Sequence, residues 1–268
     1  MLTSHARDIR DSLIAHSTVA VIDLEATCYD NDEDESRYKN EVIEVGWVKL
    51  NLLTGEISDK QSFYVAPTTS IVTPFCTQLT SITPEMVESA PSFASTMRVL
   101  EKHHQAHGIK MWLSHGAYDI RKLKSQCEEE GVDYPFAGAG WLNIKLIARL
   151  VLQRKRRLGM VSLLDDLELP LIGSHHVGAD DAFNSAQIVR ELVRRWSQGE
   201  LSAPQFDLIA RVIHLSDPKA IRGAQGVLVD GLSVQDAANQ SDCEPKHLTR
   251  VIARMRQVQQ DILAAFCQ

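Results

Sequence analysis

A short β-branched run that ends on two acidic residues constrains this 268-residue chain more than any other feature. Residues 18–22 (TVAVI) are apolar and mostly β-branched, which is the pattern of a buried strand. Asp23 and Glu25 follow two positions apart, so the end of the strand carries both carboxylates on one face. Because open α/β sheets bind ligands at the carboxyl ends of their strands, the sequence predicts a functional site here.

The order of the later segments predicts an α/β fold. Further strands are predicted at residues 41–50, 61–65 and 111–113, and the acidic stretch at 30–35 has the composition of a solvated loop. Helical patterns cover residues 92–107, a segment ending near Gly131, and residues 143–152, 161–167 and 180–196. Strands that come first as a meander, and helices that then alternate with strands, indicate a sheet of mixed strand directions flanked by helices.

The chain changes character near residue 197. Residues 197–204 (SQGELSAP) are small, polar and rich in helix breakers, which predicts a linker. We therefore predict one domain over residues 1–198 and a second over residues 199–268. The second has no strand pattern and is predicted to be a small all-α domain, with helices at about 204–215, 218–229, 233–240 and 245–265.

The composition favours a globular protein of a reducing compartment. Hydrophobic residues make up 44% and charged residues 24% of the chain, and no apolar run reaches the length of a membrane span. Five widely spaced cysteines argue against a disulfide framework or a thiolate zinc site. Mixed charges near the N-terminus do not resemble a signal peptide. These features predict a cytoplasmic protein without membrane contact.

Two later segments contain further residues that could join Asp23 and Glu25 in one site. Asp119 follows the strand predicted at 111–113, and His176 and Asp181 stand five apart at the start of a predicted helix. Each alone is commonly a turn, cap or surface residue. Four carboxylates that converge would repel each other unless a cation neutralised them, and oxygen ligands suit Mg²⁺ or Mn²⁺. Two such ions promote displacement at phosphorus, and a neutral His beside the attacking water can accept its proton.

The same segments resemble the motifs of one enzyme family. Residues 21–28 (VIDLEATC), 41–46 (EVIEVG), 114–119 (SHGAYD) and 175–182 (HHVGADDA) are similar to those of the DEDDh 3′→5′ exonucleases of the DnaQ-like superfamily. Residues 75–82 (FCTQLTSI) and 143–145 (NIK) resemble its ERI-1/KapD-like branch. The resemblance covers about residues 17–197 and implies a ribonuclease H-like fold.

The resemblance also implies roles for individual residues. Asp23, Glu25 and Asp181 would bind one metal ion, and Asp23 would bridge to a second ion together with Asp119. His176 would be the general base. Leu79 would press against the terminal bases, and Thr27 would lie near the 3′ end. Two details depart from the family pattern or compete with this assignment: Ser81 stands where the family usually has Gly, and His175 with Asp180 repeats the spacing of His176 with Asp181.

The C-terminal segment has the pattern of a helix-turn-helix. Ser233 and Asp236 form a capping box, and Leu248, Ile252 and Met255 make a buried stripe on the helix that follows. The pattern alone fits a DNA-binding unit and a helical oligomerisation unit equally well. Residues 226–231 (GVLVDG) and the helices after them resemble the TrfB-type repressor domain of plasmid regulators, over about residues 200–258. We expect base or phosphate contacts from Lys246, Thr249, Arg250 and Arg254.

Two hypotheses follow. The first is a 3′→5′ exonuclease, dependent on two Mg²⁺ or Mn²⁺ ions, that releases mononucleotides from single-stranded DNA or RNA and binds duplex DNA through its C-terminal domain. The alternative is a DNA-binding regulator whose nuclease-like domain is a binding or dimerisation platform; a homodimer is expected by analogy with other helix-turn-helix proteins.

The net charge of −7 argues against a nucleic-acid partner only if it is evenly spread. Residues 201–268 carry seven basic and seven acidic side chains, so the whole excess lies in residues 1–200. Four of those acids are the proposed metal ligands, and five more lie in the acidic stretch at 30–35.

Overall fold

Five strands form one mixed sheet in the order β3-β2-β1-β4-β5. The computed structural model describes residues 17–152, 156, 158–197, 201 and 203–265. β2 is antiparallel to both β1 and β3, whereas β4 is parallel to β1 and β5. The strands are β1 (Thr18–Ala26), β2 (Val42–Asn51), β3 (Ile57–Tyr64), β4 (Met111–Ser114) and β5 (Gly140–Asn143). This topology confirms the predicted mixed α/β fold of the ribonuclease H-like type.

Eight helices accompany the sheet in the described part of the first 197 residues. Proline follows a capping threonine at the start of both α2 and α3, where Thr73 and Thr83 accept hydrogen bonds from backbone N–H groups. The helices are α1 (Asp32–Arg37), α2 (Pro74–Thr80), α3 (Pro84–Glu88), α4 (Phe93–Ala106), α5 (Tyr118–Glu130), α6 (Ile144–Leu152), α7 (Met160–Asp166) and α8 (Gly178–Ser197).

The main core lies on one face of the sheet. Ala20, Ile22 and Leu24 of β1 pack in one buried cluster with residues of α4 and α5 and with the aromatic rings of Trp47 and Trp112. Because side chains alternate along a strand, Asp23 and Glu25 point to the opposite face. Burial of the apolar face holds β1 in place, and the position of the strand determines where the carboxylates of Asp23 and Glu25 lie.

A second group of helices has its own core. These helices are α9 (Ala203–Val212), α10 (Pro218–Leu228), α11 (Val234–Ser241) and α12 (Pro245–Ala265). Phe206, Ala224 and Leu248 are buried together in this cluster. The chain divides into two compact units at Arg190/Glu191, within α8, and residues 150–152 belong with the second unit. The domain boundary predicted at 198/199 falls on residues outside the described ones and stays a prediction.

Most predicted elements agree with the observed bounds, and four were missed. The acidic stretch predicted as a loop overlaps the short α1, which Asn31 caps by accepting from the Asp34 N–H at 2.9 Å. The short elements α2, α3 and β5 were not predicted at all. β3 begins four residues before the predicted start.

The structure bears on the cysteines and on possible membrane spans. The four described cysteines are free thiols. No helix in the described ranges combines the length and apolarity that a membrane span needs. The cytoplasmic location stays a prediction.

Candidate active site

Three carboxylates converge on the face of β1 opposite the main core. Oxygen atoms of Asp23, Glu25 and Asp181 all lie within 4.8 Å of one another. Glu25 is 7% exposed and Asp181 4% exposed. Asp23 and Glu25 come from β1, and Asp181 comes from the first turn of α8. The structure thus brings together residues separated by more than 150 positions.

The convergence is electrostatically costly for the protein alone. Burial, together with the charges of Asp119, Glu25 and Asp181, raises the pKa of Asp23 well above its usual range. Burial and the same kind of repulsion, chiefly from Asp181 and Glu44, raise the pKa of Glu25 to about 8. One oxygen of Asp181, Oδ1, is buried and accepts no hydrogen bond. Because a hard divalent cation would satisfy that oxygen and offset the repulsion, these residues fit a Mg²⁺ or Mn²⁺ site.

Asp181 reaches the site because the backbones of β2 and α8 approach each other closely. Asp23 pairs with Gly46 across the β1–β2 ladder. A Cβ atom at Gly46 would lie only 2.0 Å from the backbone carbon of Gly178, so only glycine allows α8 to begin against β2. Asp181 lies one turn further along α8 and faces Asp23 and Glu25. The glycine of the EVIEVG segment therefore has a positional role in the site.

Glu44 holds the start of α8 and was not predicted as part of the site. It is fully buried, and its carboxylate accepts from the N–H groups of Gly178 at 2.9 Å and Ala179 at 3.3 Å. The hydroxyl of Ser62 donates to the same carboxylate at 2.6 Å. An anion at a helix N-terminus satisfies unpaired N–H groups and interacts favourably with the helix dipole. The position of Glu44 in the sequence, two residues before Gly46, was the available sign of this role.

Asp119 lies beside the three converging carboxylates. It is 5% exposed and sits in the first turn of α5, and its Oδ1 accepts from the Leu24 N–H at 3.2 Å. Burial raises its pKa, and the positive charge of Lys145 opposes that rise. The Asp119 charge is the largest single repulsion on Asp23. Lys145 lies in the first turn of α6 and brings a cation near the site, a role that the sequence pattern did not indicate.

Two adjacent histidines border Asp181. A ring nitrogen of His175, Nδ1, lies 2.8 Å from Asp181 Oδ2, and the backbone N–H of His176 donates to that oxygen at 3.0 Å. The two rings stack at 3.9 Å. Burial and the neighbouring His175 lower the pKa of His176, which keeps it neutral and able to accept a proton. His176 has a φ of 65°, a strained conformation that often marks functional residues.

The competing pair His175 and Asp180 separates in the structure. Asp180 accepts from the Ser174 N–H at 2.8 Å and forms an ion pair with Lys60. Asp181, not Asp180, belongs to the group with Asp23 and Glu25. The choice of His176 with Asp181 as the functional pair stays a prediction.

The two predicted substrate contacts differ in exposure. Leu79 is 38% exposed on α2, which suits a side chain that meets a base. Thr27 is fully buried; its hydroxyl accepts from the Glu41 N–H at 2.9 Å and donates to the Lys39 carbonyl at 3.2 Å. The geometry of Thr27 supports a role in holding the loop after β1, and its contact with a 3′ end stays a prediction.

The predicted DNA-binding residues share one exposed surface of α12. Lys246, Arg250 and Arg254 are exposed and spaced four apart, so they lie along one side of the helix. Thr249 is also exposed, and its hydroxyl donates to the Pro245 carbonyl at 2.8 Å. The turn before α12 contains Asp242 in the left-handed conformation, with a φ of 53°.

Comparison with known proteins identifies the family. Residues 20–189 match the family described as Exonuclease (RNase_T). ERI1 exoribonuclease 3 of Homo sapiens is 30% identical over 183 residues, which are 65% of this chain and 53% of that protein. The chain therefore spans about half the length of this relative. The nuclease domain of 3′hExo, a DEDDh family member solved with rAMP, is 28% identical with a TM-score of 0.62, covering 68% of this chain and 93% of that one. The matched residues contain every proposed metal ligand, and the chain belongs to the exonuclease family, with a nuclease domain of the DEDDh type.

Proposed function

We propose that this protein is a metal-dependent 3′→5′ exonuclease that hydrolyses single-stranded nucleic acid and releases mononucleotides. The observation that carries the proposal is the buried group of Asp23, Glu25 and Asp181, with an unsatisfied Asp181 oxygen and His176 beside it. Buried carboxylates at this density are unfavourable without a cation. The named activity of the relatives, 3′-5′ exoribonuclease, supports the direction of hydrolysis.

The ligand set assigns chemistry to individual side chains. Two Mg²⁺ or Mn²⁺ ions would be held by Asp23, Glu25, Asp119 and Asp181. Bound there, such ions would lower the pKa of the attacking water and stabilise the leaving oxygen. A ring nitrogen of His176 accepts the proton of that water. Lys145 attracts the phosphate, and the exposed side chain of Leu79 packs against the terminal base.

We propose single-stranded RNA as the first substrate to test. The relatives ERI1 exoribonuclease 3 and 3′-5′ exoribonuclease 1 are named for RNA, and one of the similar structures shows recognition of a histone mRNA stem-loop by 3′-exonuclease. The C-terminal helices favour DNA instead. Matched RNA and DNA strands therefore belong in the same assay.

The experiment uses the full chain with 5′-labelled and 3′-labelled single strands, in Mg²⁺, in Mn²⁺ and with a chelator. We expect a ladder of shortened 5′-labelled products and immediate release of the 3′ label as a mononucleotide, both only with metal. Asp23→Ala should abolish hydrolysis. Full activity in the chelator, or in Asp23→Ala, would contradict the proposal.

Adjacent residues supply a matched control. Asp181→Asn should abolish hydrolysis, whereas Asp180→Asn, which changes the residue paired with Lys60, should retain most of it. Likewise, His176→Gln should reduce the turnover number more than His175→Gln. The opposite ranking would assign the site to the other helix register. If the unmodified protein binds duplex DNA but hydrolyses no strand, the result would favour the regulator hypothesis.

We propose a second function, binding of duplex DNA, for the C-terminal helices. The observation that favours it is the pair α11–α12, joined by a short turn, with Lys246, Arg250 and Arg254 exposed along α12. A second helix of such a pair enters the major groove in helix-turn-helix proteins. Fluorescence anisotropy with labelled duplexes tests binding, and light scattering tests the expected homodimer. No binding at low salt would contradict this function.

A further inference from the structure

A second group of potential metal ligands lies at the edge of the sheet. Nε2 atoms of His103 and His107 lie 2.8 Å and 2.9 Å from the same oxygen, Oδ2, of Asp59. The three donor atoms lie within 4.8 Å of one another. The side chains are 19–27% exposed, which leaves one side of the group open to solvent. None of these residues belongs to the proposed active site.

A β-bulge aims Asp59 at the two histidines. The β2–β3 pairing shifts register, because Trp47 pairs with Gln61 but Lys49 pairs with Ser58. Two residues of β3 therefore lie opposite one residue of β2, and Asp59 adopts a left-handed φ of 54°. Bulges of this kind redirect side chains at functional positions. The other carboxylate oxygen, Oδ1, accepts from the Gln61 side chain at 3.2 Å, which orients the carboxylate.

The two histidines are held in place by the end of α4. His103 and His107 are four residues apart, so they lie on one face of the helix end. The His103 ring makes edge-to-face contacts with Trp47 and Phe63, with ring centroids 5.1 Å and 5.3 Å apart. The His107 ring packs against His103 at 4.8 Å. The imidazoles are oriented before any ligand arrives, which lowers the entropic cost of binding.

The sheet separates this group from the proposed active site. His103 contacts Trp47, which faces the main core together with α4. Glu44 and Gly46 point to the opposite face, where α8 begins. An ion held by Asp59, His103 and His107 would therefore be independent of ions at Asp23 and Glu25.

We propose that Asp59, His103 and His107 form a structural site for a divalent transition-metal ion of the zinc class. Two imidazoles and one carboxylate, with histidines four apart on a helix, are a donor set that Zn²⁺ and Co²⁺ bind in preference to Mg²⁺. The ion would join the end of α4 to the edge strand β3. Burial, with a smaller contribution from the charge of Lys49, lowers the pKa of His107, which favours the neutral ligand form.

The experiment measures zinc binding in the full chain, free of any affinity tag, in an Asp181→Asn background. This background is chosen because Asp181 is shared by the two other donor groups of the described chain, Asp23–Glu25–Asp181 and His175–His176–Asp181. Equilibrium dialysis with Zn²⁺ gives the stoichiometry and affinity, and Co²⁺ absorption reports nitrogen coordination. We expect one tightly bound ion, a raised melting temperature with Zn²⁺, and no displacement by excess Mg²⁺.

Further variants identify the ligands. His103→Gln and His107→Gln should each weaken Zn²⁺ binding at least about tenfold and remove the Co²⁺ absorption, and Gln61→Ala should weaken it less. Asp59→Asn tests the carboxylate without added backbone strain, because Asn tolerates a left-handed φ. His214→Gln, which changes an exposed histidine of the second unit, is the matched control and should bind as tightly as the background. Equal binding in all variants, or no tight ion in the background, would overturn the site.

Discussion

The pKa values of carboxylates in the candidate active site depend strongly on their surroundings. Glu25 is an ordinary carboxylic acid, but burial and neighbouring charges raise its pKa to about 8 when no cation is present. A protonated carboxyl group must lose its proton before it can bind a metal ion. Metal binding and proton release are therefore coupled at this site.

The coupling predicts how metal affinity depends on pH. As the pH rises towards about 8, Glu25 loses its proton more readily, so Mn²⁺ affinity should increase, by at most about tenfold per pH unit for the proton released. Isothermal titration calorimetry in buffers of different ionisation enthalpy measures both affinity and protons released. An affinity that stays constant over this pH range would contradict the coupling.

Ser81 shows a residue-scale departure from the family pattern. It ends α2 with a φ of 61°, so the turn keeps the left-handed conformation that glycine adopts without strain. Ser81→Gly should raise the free energy of unfolding by roughly 0.5–1 kcal/mol, because relief of strain outweighs the added freedom of the unfolded chain. Urea denaturation measures the change. Ser81→Ala, which keeps the strain, is the control, and an equal gain there would contradict the explanation.

At the scale of elements, the contact between β2 and the start of α8 positions Asp181 beside Asp23 and Glu25. Gly46→Ala should lower the free energy of unfolding by about 1–3 kcal/mol and reduce hydrolysis sharply, because the new Cβ would lie 2.0 Å from Gly178. Denaturant titration and the strand-shortening assay measure both effects. Gly159→Ala is the control, since nothing lies within 4 Å of a Cβ there. Normal activity in Gly46→Ala would show that Asp181 is positioned by other contacts.

The elements that sequence reasoning found are those with strong periodicity or β-branched runs. β1 and α8 were predicted within a few residues because each buries an apolar face. β5 has four residues of which none is fully buried, and α1 buries none of its side chains, so neither shows a pattern. Proline after a capping threonine marks the start of α2 and of α3, but helices of seven and five residues are too short to show a clear periodicity. The acidic residues were predicted from their motifs, whereas the role of Glu44 depends on Gly178, 134 positions later.

At the scale of the whole molecule, charge is distributed unevenly between the two parts of the chain. Residues 201–268 have no net charge, and the excess of −7 lies before them. Duplex binding by the C-terminal helices must therefore come from a local row of cations, not from a general attraction. Such binding involves few phosphates, and its dependence on salt should be shallow.

Two arginines of equal charge test this local origin. Arg250 lies on the exposed row of α12, whereas Arg222 is exposed on α10. Arg250→Ala in the full chain should weaken duplex binding by roughly tenfold, and it should reduce the salt slope by about one if Arg250 contacts a phosphate. Arg222→Ala removes the same charge and should change binding little. Anisotropy at several salt concentrations measures both, with hydrolysis of a short single strand as the activity control. Equal weakening by the two variants would mean that the neutral C-terminal segment attracts DNA through its overall field, and the helix-turn-helix assignment of α12 would then fail.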